Sequence, residues 1–467
     1  MFTLRHAHPR SQSLTPVLAI IALVLACAAI VRSATPSRPD PQAPSRSLIQ
    51  PFRDDYEYSI FKKRGAWAGA RMRPYLDVFS EYPPLATWAV GVPYFFITLE
   101  KNGIAAPEPR AALNAINISE THSPISLAYG DVFAAWMALA WFATAWATAA
   151  LARSLQLSPW RALLLIAPAA LYCAIQRYDP LPVFTLSAAL LAFVHSKSKT
   201  GFLLLAAGTM LKIYPAAVFF LALGFVAKRE GFKSAFAGAL LFALAIAAME
   251  AVPFIQGVLD PAWTAEWRPE KFAGLVLDRS PVSSGIAAVA VPFSYQDARD
   301  TNAGSLAERV FGAWRASDYN SLLAGVKTFR ILQILPVIPA FFVGYFRPRP
   351  RTLVAASGVL VTTFVLFLNI YSPQFELWIV PLAAVAGGGV LGVTAFALAA
   401  ASNVVTYVQF PMLAPHARFD AALQRNVYPL GFETAVDLRL ALTILLILTL
   451  AILTFRNTPD DPDSPSA

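Results

Sequence analysis

The chain has 467 residues, 57% of them hydrophobic and only 14% charged, with a net charge of +9. Soluble domains carry roughly 25% charged residues, so an ordinary soluble protein is excluded. The apolar runs are continuous rather than alternating, which predicts an all-α polytopic membrane bundle and not a β-barrel. The positive charge does not read as nucleic-acid binding, because the basic residues form short clusters between apolar runs, as cytoplasmic loops do. Cys27 and Cys173 both lie in apolar segments, which argues against a disulfide framework or a zinc site.

In chain order, residues 1–33 carry a charged start and an apolar run over 15–32, read as an uncleaved first span rather than a cleaved signal peptide. Residues 34–83 form a long polar first outer loop. A membrane core over 84–252 follows, with apolar runs near 84–99, 128–152, 160–176, 180–195, 201–226 and 234–252. The run 84–99 is short and contains Gly91 and Pro93. It reads either as re-entrant or as a crossing paired with a second one within 100–127. A second outer loop region spans 253–326. The C-terminal membrane region, 327–455, has runs at 327–346, 352–370, 376–398, 399–413 and 436–455, and 456–467 reads as a disordered cytoplasmic tail. The expected total is about 11–13 membrane segments.

The clusters "RHAHPR", "HSKSK", "AKREGFK" and "FRPRPR" mark the cytoplasmic side. The run 201–226 has basic clusters on both flanks and Lys212, Ile213, Tyr214 and Pro215 at its midpoint. With both ends on one side, it predicts a hairpin broken at Pro215, which lacks a backbone donor. Lys212 would stand at its tip. A lysine in an apolar run is costly unless it reaches an anion or water.

Four polar clusters mix charge with aromatic residues on the outer side: "RDDYEYSIFKKRG" (53–65), "PYLDVFSEYPP" (74–84), "IQRYDPLP" (175–182) and "LKIYP" (211–215). Such composition suits a site that handles a hydroxyl-rich group beside lipid. The bland alternatives are a solvated run for Asp54 and Asp55, and a structural pair with Arg71 or Arg73 for Asp77 and Glu81. For Arg177 the alternative is a snorkelling anchor, and for the tyrosines ordinary interfacial aromatics.

The order Asp54…Tyr58, then Pro74-Tyr75-x-Asp77-x-x-x-Glu81-Tyr82-Pro83-Pro84, resembles the first outer loop of the membrane-embedded GT-C glycosyltransferases. It is most similar to glycosyltransferase family 87, the polyprenol-phosphate-mannose-dependent mannosyltransferases. Arg177-Tyr178-Asp179-Pro180-Leu181, Lys212-Ile213-Tyr214-Pro215 and Ser372-Pro373-Gln374 are similar to that family's later turns, although Ile175-Gln176-Arg177-Tyr178 departs from its "GQ-x-N" form.

The resemblance implies a GT-C type fold and an inverting transfer of a hexose, mannose first among candidates, from a polyprenyl-phosphate sugar. The acceptor would be a lipid or glycan hydroxyl on the extracytoplasmic side of the inner (plasma) membrane, in cell-envelope assembly. A loop carboxylate would take the acceptor's proton, Asp54 first and Asp55 second. Lys212 and Arg177 would meet the phosphate as charge develops on it. Tyr58, Tyr75, Asp77, Glu81, Tyr82, Gln176, Asp179, Tyr214 and Gln374 would line the sugar and acceptor region. No cofactor or metal is implied, although Asp54, Asp55 and Glu57 offer oxygens that suit a divalent cation. The competing readings are a membrane transporter or lipid flippase and a non-catalytic scaffold.

Overall fold

The computed structural model describes residues 82–100, 124–259, 285–290, 301–312, 319–414, 417–420 and 425–456, together with Val282 and Pro292. The expected first span, the first outer loop up to residue 81 and most of the second loop region lie outside the described residues. So does the tail from residue 457.

Helix dominates what is described. Several helices open on a proline at their first position, where the missing N–H has no intrahelical partner to lose. These are α1 (Pro84–Glu100), α2 (Pro124–Ser154), α3 (Pro168–Ala174) and α4 (Pro180–Val194). There follow α5 (Ser198–Leu211), a 3₁₀ turn (Tyr214–Val218), α6 (Phe219–Arg229) and α7 (Phe232–Leu259). The short α8 (Leu306–Phe311) is capped by Ser305, whose hydroxyl accepts from the Glu308 N–H. Then come α9 (Tyr319–Ile334), α10 (Val337–Phe346) and α11 (Pro350–Leu366). The C-terminal part holds α12 (Glu376–Val385), α13 (Gly389–Tyr407), a two-stranded hairpin of β1 (Arg418–Asp420) and β2 (Arg425–Val427), and α14 (Phe432–Phe455).

Five helical runs among the described residues are long and apolar enough to cross a bilayer: Tyr129–Ser154, Phe232–Leu259, Ala324–Phe346, Gly389–Phe410 and Phe432–Phe455. The outer face of α7 exposes Phe232, Phe236, Leu240, Leu244, Ile255 and Leu259, an apolar stripe that water would penalise and lipid accepts. The chain is a helical membrane protein.

Several segments expected as single spans are broken. Run 160–176 is a 3₁₀ turn (Pro159–Ile166) followed by α3, because Pro168 removes a backbone donor. Run 376–398 is interrupted where Gly389 takes φ +61°, a left-handed conformation glycine adopts freely. Arg161 fills the break, donating to the Gly387 carbonyl at 2.6 Å.

At one end of the bundle the Ser154 hydroxyl meets His195 Nε2 at 3.0 Å, Arg351 donates to the Leu155 carbonyl, and Arg347 donates to the Phe455 carbonyl. Lys228 lies over the Tyr345 ring there. Arg153, Lys197, Arg229, Arg349 and Arg456 sit in the same helix termini. The clusters "HSKSK", "AKREGFK" and "FRPRPR" are thus gathered at one end, as the charge pattern predicts.

The run 201–226 folds back as a hairpin. Phe202 of α5 and Phe219, the first residue of α6, stand 5.9 Å apart, and Phe219 also meets Phe242 of α7. Arg229 and Phe232, joined through Gly231 at φ +91°, return to the basic end. The tip is Lys212. Against this hairpin α6 packs on α10 at backbone contact. A Cβ at Gly224 would lie 2.0 Å from the Phe341 carbonyl oxygen, and one at Gly344 2.2 Å from that of Leu221. Such close approach through small residues is a common way for membrane helices to associate.

Candidate functional site

Helices α4 and α5 are antiparallel, joined at His195–Lys197, so the start of one meets the end of the other away from the basic end. Asp179 precedes α4 but makes no side-chain cap to it. Its carboxylate turns instead to Lys212. Helix α5 stops at Leu211 and Lys212 is fully extended (φ −161°, ψ 136°), because Pro215 cannot donate to the Leu211 carbonyl.

Lys212 Nζ donates to Asp179 Oδ1 at 2.6 Å, and Trp378 Nε1 donates to the same oxygen at 2.7 Å. Asp179 is 1% exposed and the Lys212 side chain 18%. Asp179 Oδ2 has no partner among the described residues. The ammonium sits among ring faces, 4.9 Å from the centroids of Tyr178 and Trp378 and 5.8 Å from Phe375. Cation–π attraction at such distances strengthens as water is removed. Tyr214 stacks on Trp378 at 4.0 Å, its own hydroxyl buried without a partner among the described residues. Tyr82 meets Tyr178 edge-on at 5.0 Å.

Four segments distant in sequence therefore converge. Tyr82 comes from "EYPP", Tyr178 and Asp179 from "RYDP", Lys212 and Tyr214 from "KIYP", and Phe375 and Trp378 from "SPQFELW". Gln176 is buried in the turn before α4, and its Nε2 meets no acceptor among the described residues. Arg177 is half-buried in the same turn. Gln374 accepts from the Ser372 hydroxyl in a local bond. Asp54, Asp55, Tyr58, Tyr75, Asp77 and Glu81 lie outside the described residues. Among the described residues no group of three metal-ligating side chains occurs.

Behind this cluster lies a second, largely buried polar network. Glu376 Oε1 accepts from the Tyr371 hydroxyl at 2.8 Å, the Ser402 hydroxyl at 2.9 Å and the Thr406 hydroxyl at 3.1 Å. Arg439 lies 3.3 Å over the Tyr371 ring and donates to the Gln409 side chain and to the Gly304 carbonyl. Asn302 bonds the Tyr371 backbone in both directions. The network ties α12, α13 and α14 to the 301–305 and 369–375 turns. It fixes the segment that carries Phe375 and Trp378.

The sequence pointed to Asp179, Lys212 and Tyr214, which the structure brings together around Trp378, but not to Trp378 itself, to Glu376 and Arg439, or to Glu250, whose carboxylate is buried on α7. For Glu250 a signal existed, a charge isolated within an apolar run, which is expensive in a membrane and marks a functional or networked group, whereas Glu376 and Arg439 stand beside other polar residues at the start of their runs. Trp378 gave none, since tryptophans recur through the apolar segments.

What the site can do chemically follows from its parts. A cation partly exposed among aromatic rings, and backed by a carboxylate whose second, buried oxygen has no partner among the described residues, can meet an anionic group and a hydroxyl together. No family model matches the chain, and none of the curated proteins does.

Proposed function

We propose that the chain is a membrane-embedded glycosyltransferase of the GT-C class, similar to family 87. It moves a hexose, mannose first among candidates, from a polyprenyl-phosphate carrier to an acceptor hydroxyl on a lipid or glycan. The observation that carries this reading is Lys212, caged by aromatic rings at the tip of a re-entrant hairpin and paired with Asp179. By the positive-inside rule the basic end is cytoplasmic, so the tip faces the outer leaflet of the plasma membrane. Nucleotide sugars are absent there and lipid phosphates carry activated sugars.

In this mechanism the acceptor hydroxyl attacks the anomeric carbon while a carboxylate of the first outer loop, Asp54 or Asp55, takes its proton. The bond from that carbon to the carrier phosphate breaks, with inversion. Lys212 exchanges part of its contact with Asp179 for the departing phosphate, where preorganised charge is worth most. Asp179 keeps the ammonium aimed. The end of the first loop reaches this point through Tyr82, which touches Tyr178 beside Lys212.

The test is release of polyprenyl phosphate by purified protein in nanodiscs, offered a panel of polyprenyl-phosphate hexoses with a mixed acceptor pool. No release from any donor would sink the reading. A lipid transporter is the second reading, favoured by one observation: interrupted helices lining a buried charge pair, as carriers use. It predicts vesicle transport without sugar transfer.

A further inference from the structure

Glu250 stands apart from every contact described so far. It is the one charged residue of α7 beyond Lys233, in the run "AIAAMEAVPF". Both of its carboxylate oxygens are buried, and neither has a hydrogen-bond partner among the described residues. Burying such a group without a partner is expensive in an apolar setting, and a purely structural position has no need of it.

Its height in the bundle is informative. Helices α5 and α7 both start at the basic end, and they touch where a Cβ at Gly238 would lie 2.1 Å from the Phe202 ring. From that level Lys212 is ten residues further along and Glu250 twelve. At 1.5 Å per residue these are rises of about 15 and about 18 Å. The acid therefore lies within a turn of the Lys212–Asp179 level. It also belongs to the inward stripe of α7, whose neighbours Pro253 and Gly257 are buried. Pro253 has no N–H for the Met249 carbonyl, so the helix lacks one backbone bond beside the acid.

We propose that Glu250 is a sugar-binding residue: its two oxygens accept hydrogen bonds from a pair of neighbouring hydroxyls on the hexose, while Lys212 holds the phosphate. A carboxylate whose two buried oxygens have no partner among the described residues matches a vicinal diol, each hydroxyl donating to one oxygen. A hard divalent cation asks for six or more oxygens, and no three-acid group stands here among the described residues. This inference rests on the glycosyl-transfer reading above.

The experiment uses full-length protein in nanodiscs and has two arms. In the kinetic arm, Glu250→Gln is compared with wild type on the active polyprenyl-phosphate hexose and on its deoxy analogues lacking one hydroxyl of the pair. The expected result is a kcat/KM about 10- to 100-fold lower for the variant, the size of one or two bonds to a charged group. The deoxy analogues should lose little further in the variant, and polyprenyl phosphate alone should inhibit both proteins equally. Equal kinetics for variant and wild type overturn the Glu250 assignment and leave the glycosyl-transfer reading standing.

In the binding arm, a hydrophobic carbodiimide labels wild-type Glu250, read by peptide mass. Polyprenyl-phosphate hexose should protect it at least five-fold better than polyprenyl phosphate. This arm decides the matter even if no donor is turned over, an outcome that removes the parent reading. Equal protection by the two lipids overturns the Glu250 assignment. So does a Glu250→Gln variant that melts below wild type, since that marks a structural role.

Discussion

Replacing Lys212 by methionine removes the ammonium and keeps the stem that packs between Tyr178 and Trp378. Asp179 is then left 1% exposed, with one oxygen held by the Trp378 indole and the other without a partner among the described residues. Breaking a buried ion pair by removing one member costs about 3–5 kcal/mol. The surviving indole bond and the partial exposure of Lys212 place this case at the lower end, about 3 kcal/mol. Asp179→Asn should cost less, about 1–2 kcal/mol, because the stranded lysine reaches water more easily than the stranded acid. The double variant carries no buried charge, so its loss should fall short of the sum by about 2 kcal/mol, the coupling expected of groups in direct contact. The assay is reversible unfolding in mixed micelles, run as a four-member cycle. Unfolding of Lys212→Met indistinguishable from wild type, or a coupling below about 0.5 kcal/mol, would refute the claim that this pair is dry and tight. Where the single variant is still folded, its release of polyprenyl phosphate should fall at least about 100-fold, the scale for losing a preorganised charge at a developing oxyanion.

The remaining expectations concern other parts of the molecule. Replacing Asp54 and Asp55 together with alanine should abolish transfer while circular dichroism and melting stay at wild-type values; full activity in that protein removes the proposed base. Gly344→Ala places a methyl 2.2 Å from the Leu221 carbonyl oxygen and must part α6 from α10, so a loss of about 2 kcal/mol or more in micelle unfolding is expected. Glu376→Ala strips three hydroxyls of their acceptor at a position 1% exposed. It should cost about 3 kcal/mol, with Tyr371→Phe nearer to about 1 kcal/mol. Glu250→Leu should melt above wild type, since it removes an unpartnered buried carboxylate; a lower melting temperature contradicts the account of that residue.

Much of the architecture was legible because membrane helices announce themselves by local composition. The apolar runs, the basic clusters and the Pro215 break each depend on residues close in sequence. The hairpin with Lys212 at its tip followed from two observations, basic flanks on both sides and a proline after the lysine. Its partner did not follow. Asp179 is 33 residues away and Trp378 is 199 residues from Asp179, and no periodicity encodes which turn meets which. Helix continuity was hidden as well, as at Gly389. A run of apolar residues has the same composition whether packing keeps it straight or opens it.

By itself, then, the sequence determined that the chain lives in a membrane, how its charges divide and where its backbone must break, because these are one-dimensional consequences of solvation and of proline and glycine. The tertiary structure decided that the lysine is paired and caged, that Trp378 holds the acid in place, that Glu376 and Arg439 share a buried network, and that Glu250 stands outside it. Each of those depends on distances between segments that only packing sets, in a medium too poor in water to forgive an unmatched charge.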